Sequence, residues 1–464
     1  MPKSSKQGNE QQEPKLQMSR RNFLKAGTAS FAAMGMMAAL KATPVSAAEA
    51  AEAATGASAA NNGAKSKLHS DGDRYGGASV KIAPYNDQWL GTSKLVGQVQ
   101  NFNEADMGFM LAMRGKLGPL AKDGAFRIVD NQPSQYFVEK YPVSYAEQHL
   151  LMNQLAGEDV VDGTPAARKL PIPDPEQMSQ NIKDLAYFLR ADEVGIGKMP
   201  PYAYYSHKVY DNMAILKDDV EAAVKPVTER MPYVIVVMVD QNLKTMLAST
   251  GYDSISASQS MLGYHSTAVI SIIIANYIRR LGYHARASHF SNYIAVMDPC
   301  IIAAGLGELS RTGDCTVHPH LGIREKCAAV TTDLPLAPDQ PIDFGLQDFC
   351  RVCKKCADNC PSGAITHDTE QVEYNGYLRW NSDMKKCAVF RTTNDEGSSC
   401  GRCMKVCPWS SKEDTWFHTA GTWIGSRGQG SSKLLKSIDD MFGYGDEQIE
   451  RYKWWLEWPE LLKN

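Results

Sequence analysis

The chain has 464 residues, and its 49 lysines and arginines nearly balance 52 aspartates and glutamates, for a formal charge of −3. This balance excludes the phosphate-neutralising surface of a nucleic-acid binder, so no nucleic-acid partner is expected. Eight of the 11 cysteines crowd between Cys350 and Cys407, which suits cofactor ligation and not a disulfide framework spread through a secreted fold.

Ser19-Arg20-Arg21-Asn22-Phe23-Leu24-Lys25 precedes a mildly apolar stretch, residues 26–40, and the small residues Val45-Ser46-Ala47. The pattern is that of a twin-arginine signal over 1–47, a route for proteins already folded around their cofactors. It predicts a peripheral protein on the outer face of the cytoplasmic membrane. The apolar stretch is shorter than the ~20 residues of a transmembrane anchor. Residues 48–70 are poor in large apolar side chains and read as a disordered linker.

A core is expected over 71–340. From Tyr85 to about Gly163 no clean period is present, so short helices and loops are expected. Past the Pro-rich segment at 171–176, Met178, Ile182, Leu185 and Leu189 fall at helical spacing. Tyr233 to Asp240, YVIVVMVD, is long and apolar enough for a strand buried on both faces. Tyr264 to Leu281 reads as a helix stopped by Arg279, Arg280 and Gly282, and Tyr293 to Ala304 is a further apolar segment. These elements suggest an α/β core. Pro335-Leu336-Ala337-Pro338 punctuates the chain before a module at 341–420 and an extension, 421–464, expected to pack on the core.

Cys350-x2-Cys353-x2-Cys356-x3-Cys360-Pro361 has the spacing of a bacterial ferredoxin run, in which three thiolates hold one cubane and the fourth reaches the other. Cys400-x2-Cys403-x3-Cys407-Pro408, with Cys387, supplies four more. By that logic one 4Fe-4S cluster takes Cys350, Cys353, Cys356 and Cys407, and the second takes Cys387, Cys400, Cys403 and Cys360. Zinc needs neither the third Cys nor the Cys-Pro. Cys300, Cys315 and Cys327 fit neither run and read as buried or incidental thiols.

A bare two-cluster ferredoxin needs fewer than about a hundred residues, whereas roughly 280 separate the linker from the first run. From Tyr264 onward the chain resembles the corrinoid-dependent respiratory reductive dehalogenase catalytic subunits, through YIRRLGYHARA at 277–287, AGLGELSRTGDC at 304–315, TTDLPLAPDQPIDFG at 331–345 and both cysteine runs. The resemblance implies an α+β fold: a nitroreductase-like α/β corrinoid-binding core with a C-terminal bacterial-ferredoxin-like two-cluster module. It also implies a base-off corrinoid, cobalamin or a norpseudo-type cobamide, and no DxHxxG segment supplies a histidine ligand. Gly305, Gly307 and Gly313 with Ser310 would let backbone approach the macrocycle.

The family's proton-donating tyrosine matches Tyr264, placed at the start of the helix before Gly282-Tyr283, and its cation matches Arg324. The family's asparagine falls on Phe290 when counted forward from Gly282 and on Asn292 when counted back from Gly305. Asn292 is favoured, because an amide can orient Tyr264; Phe290 there would make a drier site. Phe290 and Phe390 are placed in the substrate pocket, with Trp89, Phe102, Trp380, Trp409 and Trp416 as further aromatic candidates. The wording resembles enzymes of chlorinated ethenes and short aliphatics. Implied partners are a halogenated organic substrate, an upstream electron donor and a small integral membrane anchor subunit, since no segment after the signal reaches ~20 continuous apolar residues. Rival readings are an enzyme resembling epoxyqueuosine reductase and an exported two-cluster electron carrier or redox sensor.

Overall fold

The computed structural model of the protein describes residues 63, 66–68, 74–75, 78–129, 142–249, 255–394, 400–410, 426, 436 and 448–454. The expected signal at 1–47, most of the 48–70 linker, most of the 421–464 extension and Trp416 lie outside them. The core and the cysteine module fall within one compact unit, Gly56–Asn464.

Four strands build the central sheet: β1 (Glu193–Lys198), β2 (Tyr233–Asp240), β3 (Ala285–Ser288) and β4 (Glu325–Thr332). Their order is β1-β2-β4-β3, and every pairing is antiparallel. The valine run thus becomes a central strand, as its composition predicts. On one face, helices α1 (Pro175–Phe188) and α2 (Ile255–Arg280) bury Ile182, Ile270, Ile274 and Ile278 against Ile235, Val237, Ala328 and Val330. On the other, helix α3 (Met297–Ala303) and Tyr204 pack on Val234, Val236 and Ala329. Gly195 and Gly197 let α3 come close, since a Cβ there would stand 2.2 Å from the Ala304 carbonyl oxygen and 2.7 Å from the Ala303 carbonyl carbon. Asp174 caps α1 by accepting from the N–H groups of Glu176 and Gln177, with Pro175 opening the helix.

The α2 helix is longer than its apolar pattern indicates, beginning at Ile255 and not at Tyr264. Its added turns, rich in serine, are weak helix formers, yet Ser256, Ser258, Gln259 and Ser260 are buried and tertiary packing overrides propensity. Tyr264 therefore sits in the third turn. By length and composition alone α2 could cross a membrane. Its buried Thr267, Ser271 and Arg279 and its packing on the sheet mark it as a core helix.

The module contributes α4 (Leu346–Cys353), α5 (Met384–Thr393) and α6 (Arg402–Val406). Trp409, fully buried, packs edge-on against Phe344 and Phe349 at 4.9 and 5.6 Å between centroids. The Arg311 guanidinium stacks on Trp380 at 4.2 Å and donates to the carbonyls of Cys350, Thr366 and Asp368. Two more tethers come from the chain ends. Ser66 and Lys67, within the stretch read as linker, are held on α1 by Asp184. In the C-terminal extension, the Ile449 N–H donates to the Leu247 carbonyl and the Trp454 indole to Thr245 Oγ1.

Gly322 sits at the joint between core and module with φ +71°, and an added Cβ would lie 2.5 Å from the Trp409 carbonyl oxygen. Gly322→Ala is expected to destabilise the holoprotein by about 2 kcal/mol or more, read as a Tm lowered by several degrees in thermal melting. A Tm unchanged within about one degree would show that the joint is not rigid.

Candidate active site and cluster ligands

The site begins with a missing side chain. Gly263 precedes Tyr264 on α2, and a Cβ there would meet Lys326 Cβ and Cγ at 2.8 Å. Its absence lets β4 run close beneath the helix and brings Lys326 Nζ to 5.3 Å from the Tyr264 ring centroid. Phe290 stacks on the same ring at 4.6 Å with an interplanar angle of 22°. Burial raises the Tyr264 phenol above its ordinary pKa, and Lys326 and Arg391 draw it back. The phenol thus holds its proton near neutrality, with two cations ready to stabilise a phenolate. Burial acts to lower the Lys326 pKa, but Tyr264 and Glu325 outweigh it and keep the ammonium charged.

Tyr264, Asp298, Cys315 and Lys326 keep accessible surface, and Asp314 is exposed. Burial is nonetheless the largest influence on the titration of all five, and their charges act on one another. The space they share at the start of β4 is the candidate chamber. Beside it, Thr316 Oγ1, Glu325 Oε2 and Arg391 Nε are buried without a hydrogen-bond partner. Such orphaned polar atoms fit a bound group rich in amides.

Cys350, Cys353, Cys356 and Cys407 line one cavity, joined by Cys403, Arg311 and Trp409. Burial raises the Cys350 thiol, with Cys407 and Cys353 adding to it. Cys356 is likewise raised by burial and then by Cys350, Cys407 and Cys353. The second group has the same character. Burial pushes Cys387 up to about 11, and Cys400 and Cys360 are its thiol neighbours; Cys403 is raised by burial and by Cys400, Cys387 and Cys360. Cys360 runs the other way: burial opposes ionisation, but hydrogen bonds from Ser362 and the Ala364 N–H lower its pKa. Cys407 thus lies with the first run, as the crossed pattern expects, and Cys403 borders both groups. In a cubane each iron takes one thiolate, so four cysteines spread around a cluster-sized space suffice.

Several expected site residues lie elsewhere. Arg324 is not the cation beside Tyr264: its Nε donates to the Ser410 carbonyl at 3.1 Å, and its Nη1 donates to Asp240 Oδ2 at 2.8 Å and to the Gln241 carbonyl. Two residues along an extended chain is about 7 Å, enough to carry Arg324 past the sheet toward the module. Asn292 does not orient Tyr264 either. Both of its amide hydrogens are used, on the Ala156 carbonyl and Glu158, and its oxygen accepts from Arg286, so Phe290 occupies the place against the phenol. The glycine-rich loop packs on its own chain: added Cβ atoms at Gly307 and Gly313 would lie 2.5 and 2.8 Å from the carbonyl oxygens of Val317 and Trp380. Gly305 turns the chain after α3 with φ +68°, and Ser310 Oγ pairs with Thr312 Oγ1. Gly313 precedes Asp314 in the chain, and the Ser310 N–H donates to the Cys315 carbonyl at 3.0 Å. Phe390 is half-buried on α5 next to Arg391. Trp380 and Trp409 are core, and Cys300 and Cys327 are buried thiols.

Lys326 and Arg391 escaped the sequence reading. Arg391 follows Cys387 by four residues on α5, one turn on the same helix face. Burial works to lower its pKa, and Cys387, Tyr264, Cys400 and Asp314 together raise it, so its guanidinium is shared between the second cysteine group and the phenol.

Residues 349–410 match the 4Fe-4S double cluster binding domain. The module is that of a two-cluster iron–sulfur protein. Over 300 residues the chain is 30% identical to the tetrachloroethene reductive dehalogenase of Sulfurospirillum multivorans, covering 59% of this chain and 58% of that one. It is 35% identical over 221 residues to the enzyme of the same description from Desulfitobacterium hafniense, 43% of this chain and 39% of that protein. A solved reductive dehalogenase, studied for B12-dependent dehalogenation, superposes with a TM-score of 0.69 at 35% identity, over 81% of this chain and 50% of its own. The chain thus spans about half the length of the proteins it matches. In sequence and fold it is a relative of the corrinoid-dependent reductive dehalogenase catalytic subunits.

In the reconstituted holoprotein, Cys353→Ser and Cys407→Ser are each expected to remove the same cluster signal from the electron paramagnetic resonance spectrum, and Cys400→Ser the other. Iron should fall in each case from about eight to about four atoms per chain. A Cys407→Ser spectrum matching that of Cys400→Ser would contradict the crossed ligation.

Proposed function

We propose that the chain is the catalytic subunit of a reductive dehalogenase that replaces a carbon–chlorine bond of a small chlorinated aliphatic, a chloroethene or chloroalkane, by carbon–hydrogen in organohalide respiration. The observation that carries this reading is the Tyr264 phenol, stacked by Phe290 and faced by Lys326 and Arg391, at a chamber that the second cysteine group adjoins. The reaction consumes two electrons and one proton and releases halide. A base-off corrinoid in the chamber, in a core of nitroreductase-like type, would supply the reducing metal. The orphaned Thr316, Glu325 and Arg391 atoms beside that space favour such a ligand.

The chain's own residues supply the rest. The two clusters bring electrons inward, with the Cys387, Cys400, Cys403 and Cys360 set nearer the chamber, because Cys403 neighbours the chamber thiol Cys315. Tyr264 gives the proton at its hydroxyl, and Lys326 and Arg391 stabilise the phenolate left behind. Phe290 and the chamber's enclosure keep water away from a small apolar substrate. Export through the twin-arginine motif, attachment by an integral membrane anchor subunit and an external electron donor belong to the same reading. The named activities of the relatives support chlorinated ethenes as substrates. The lack of a basic surplus speaks against a transfer-RNA substrate of the epoxyqueuosine type.

Halide release from chloroethenes, chloroalkanes and chlorophenols, measured with reduced holoprotein, should be highest for the first two. Protein reconstituted with iron, sulfide and a cobamide should retain cobalt, and retaining none would leave only an electron carrier. Tyr264→Phe should lower turnover by about 10²-fold or more with cluster and corrinoid spectra unchanged. Lys326→Met should raise the phenol pKa further and lower turnover at least about tenfold, whereas unchanged turnover would remove Lys326 from the site.

A further inference from the structure

A polar clamp holds the turn that carries Phe290. Arg286, on β3 and almost fully buried, forks onto Glu158 with Nη1 at 2.8 Å from Oε2 and Nη2 at 3.1 Å from Oε1. The same Nη2 donates to Asn292 Oδ1 at 2.7 Å. Asn292 Nδ2 in turn donates to the Ala156 carbonyl at 2.7 Å and to Glu158 Oε1 at 3.0 Å, and the Lys208 ammonium donates to that oxygen at 3.1 Å. The amide of Asn292 has no freedom left.

Asn292 also closes a tight turn. Its N–H donates to the His289 carbonyl at 2.8 Å, and Ser291, third in the turn, has φ +70°. A left-handed serine is strained by about 1 kcal/mol or more and persists only where its surroundings over-determine it. The second residue of that turn is Phe290, whose carbonyl accepts from His289 Nδ1 at 2.9 Å while its ring covers Tyr264. The turn and the clamp together fix where that ring stands.

We infer that Glu158, Arg286 and Asn292 are positioning residues that hold the His289–Asn292 turn in its strained form and so set Phe290 against Tyr264, determining how closely a substrate fits at the proton donor. The inference rests on the proposed dehalogenation for its kinetic consequences, but the position of the ring can be read without it. The same clamp explains why the chain keeps an asparagine two residues past the place where one would touch the phenol. Its amide acts through the backbone.

Two measurements on the full-length holoprotein test this. With 4-fluorophenylalanine in place of Phe290, the unmutated clamp should give one sharp fluorine-19 resonance, and Glu158→Gln and Asn292→Ala should each shift or split it. An unmoved resonance in both overturns the inference, whatever the activity. In a double-mutant cycle on kcat/KM for tetrachloroethene, Asn292→Ala should cost about tenfold when Phe290 is present and less than about twofold in a Phe290→Leu background. Equal losses in the two backgrounds would show that Asn292 does not act through Phe290. Should Asn292→Ala fail to load its clusters, Glu158→Gln, which keeps the side-chain shape and lies half-exposed, takes its place in the cycle. If the wild type itself releases no halide while the resonance shifts as expected, the dehalogenase reading fails and the clamp stands.

Discussion

The return of Cys407 to the first cysteine run is the constraint on which the rest of the structure depends. Three of its partners lie on one short stretch, and to join them around a single cavity the chain must leave after Cys356, fold through α5 and α6, and come back. Where it returns, Trp409 is driven between Phe344 and Phe349, and the Ser410 carbonyl is presented to Arg324. Arg324 also holds Asp240 and the Gln241 carbonyl, the far end of the central strand. Two residues further along, Lys326 enters the sheet beneath Tyr264. The position of the cation at the phenol is thus referred back, through one arginine, to the cluster-bearing module. Arg324 acts as a strut, and breaking it would move β4 relative to the clusters.

Much of this was legible in the sequence because it is carried by spacing. The eight thiols sort into two groups by the ferredoxin pattern alone, and in space Cys407 does lie with the first run, though Cys403 borders it too. The valine run is a central strand with the bounds its composition marks, and the helix of Met178, Ile182 and Leu185 lies where their spacing puts it. What spacing cannot carry is the third dimension at a resolution of two residues. Arg324 and Lys326 are both cations on one short segment, and only Gly263, by having no side chain, decides which of them meets the phenol. Phe290 and Asn292 are separated by a left-handed serine, a conformation that a serine in a sequence does not announce. The start of α2 was hidden for a different reason: a serine-rich stretch has poor helix propensity, and only its burial makes it helical.

The charge distribution around the chamber has a consistent sense. Asp298, Asp314 and Glu325 face or border it, and burial raises all three carboxyls, Glu325 to about 7 and Asp298 well beyond the carboxylate range. Burial is opposed at Lys326 and Arg391 by their acidic neighbours, so these two stay charged. Burial thus works against charge on the acids while their coupling to the two bases works for it, and in a space shielded from bulk water both effects are stronger than at a surface.

In the proposed reaction every species that gains negative charge does so within reach of these two bases. An electron arriving at the cluster held by Cys387 and Cys400 adds charge beside Arg391. The proton leaving Tyr264 creates a phenolate between Arg391 and Lys326. The departing halide is an anion released into the same enclosure. One guanidinium whose charge is felt by both the second cysteine group and the phenol couples the two in the proposed reaction: negative charge added on the cysteine side draws on Arg391 and leaves less of it for a phenolate.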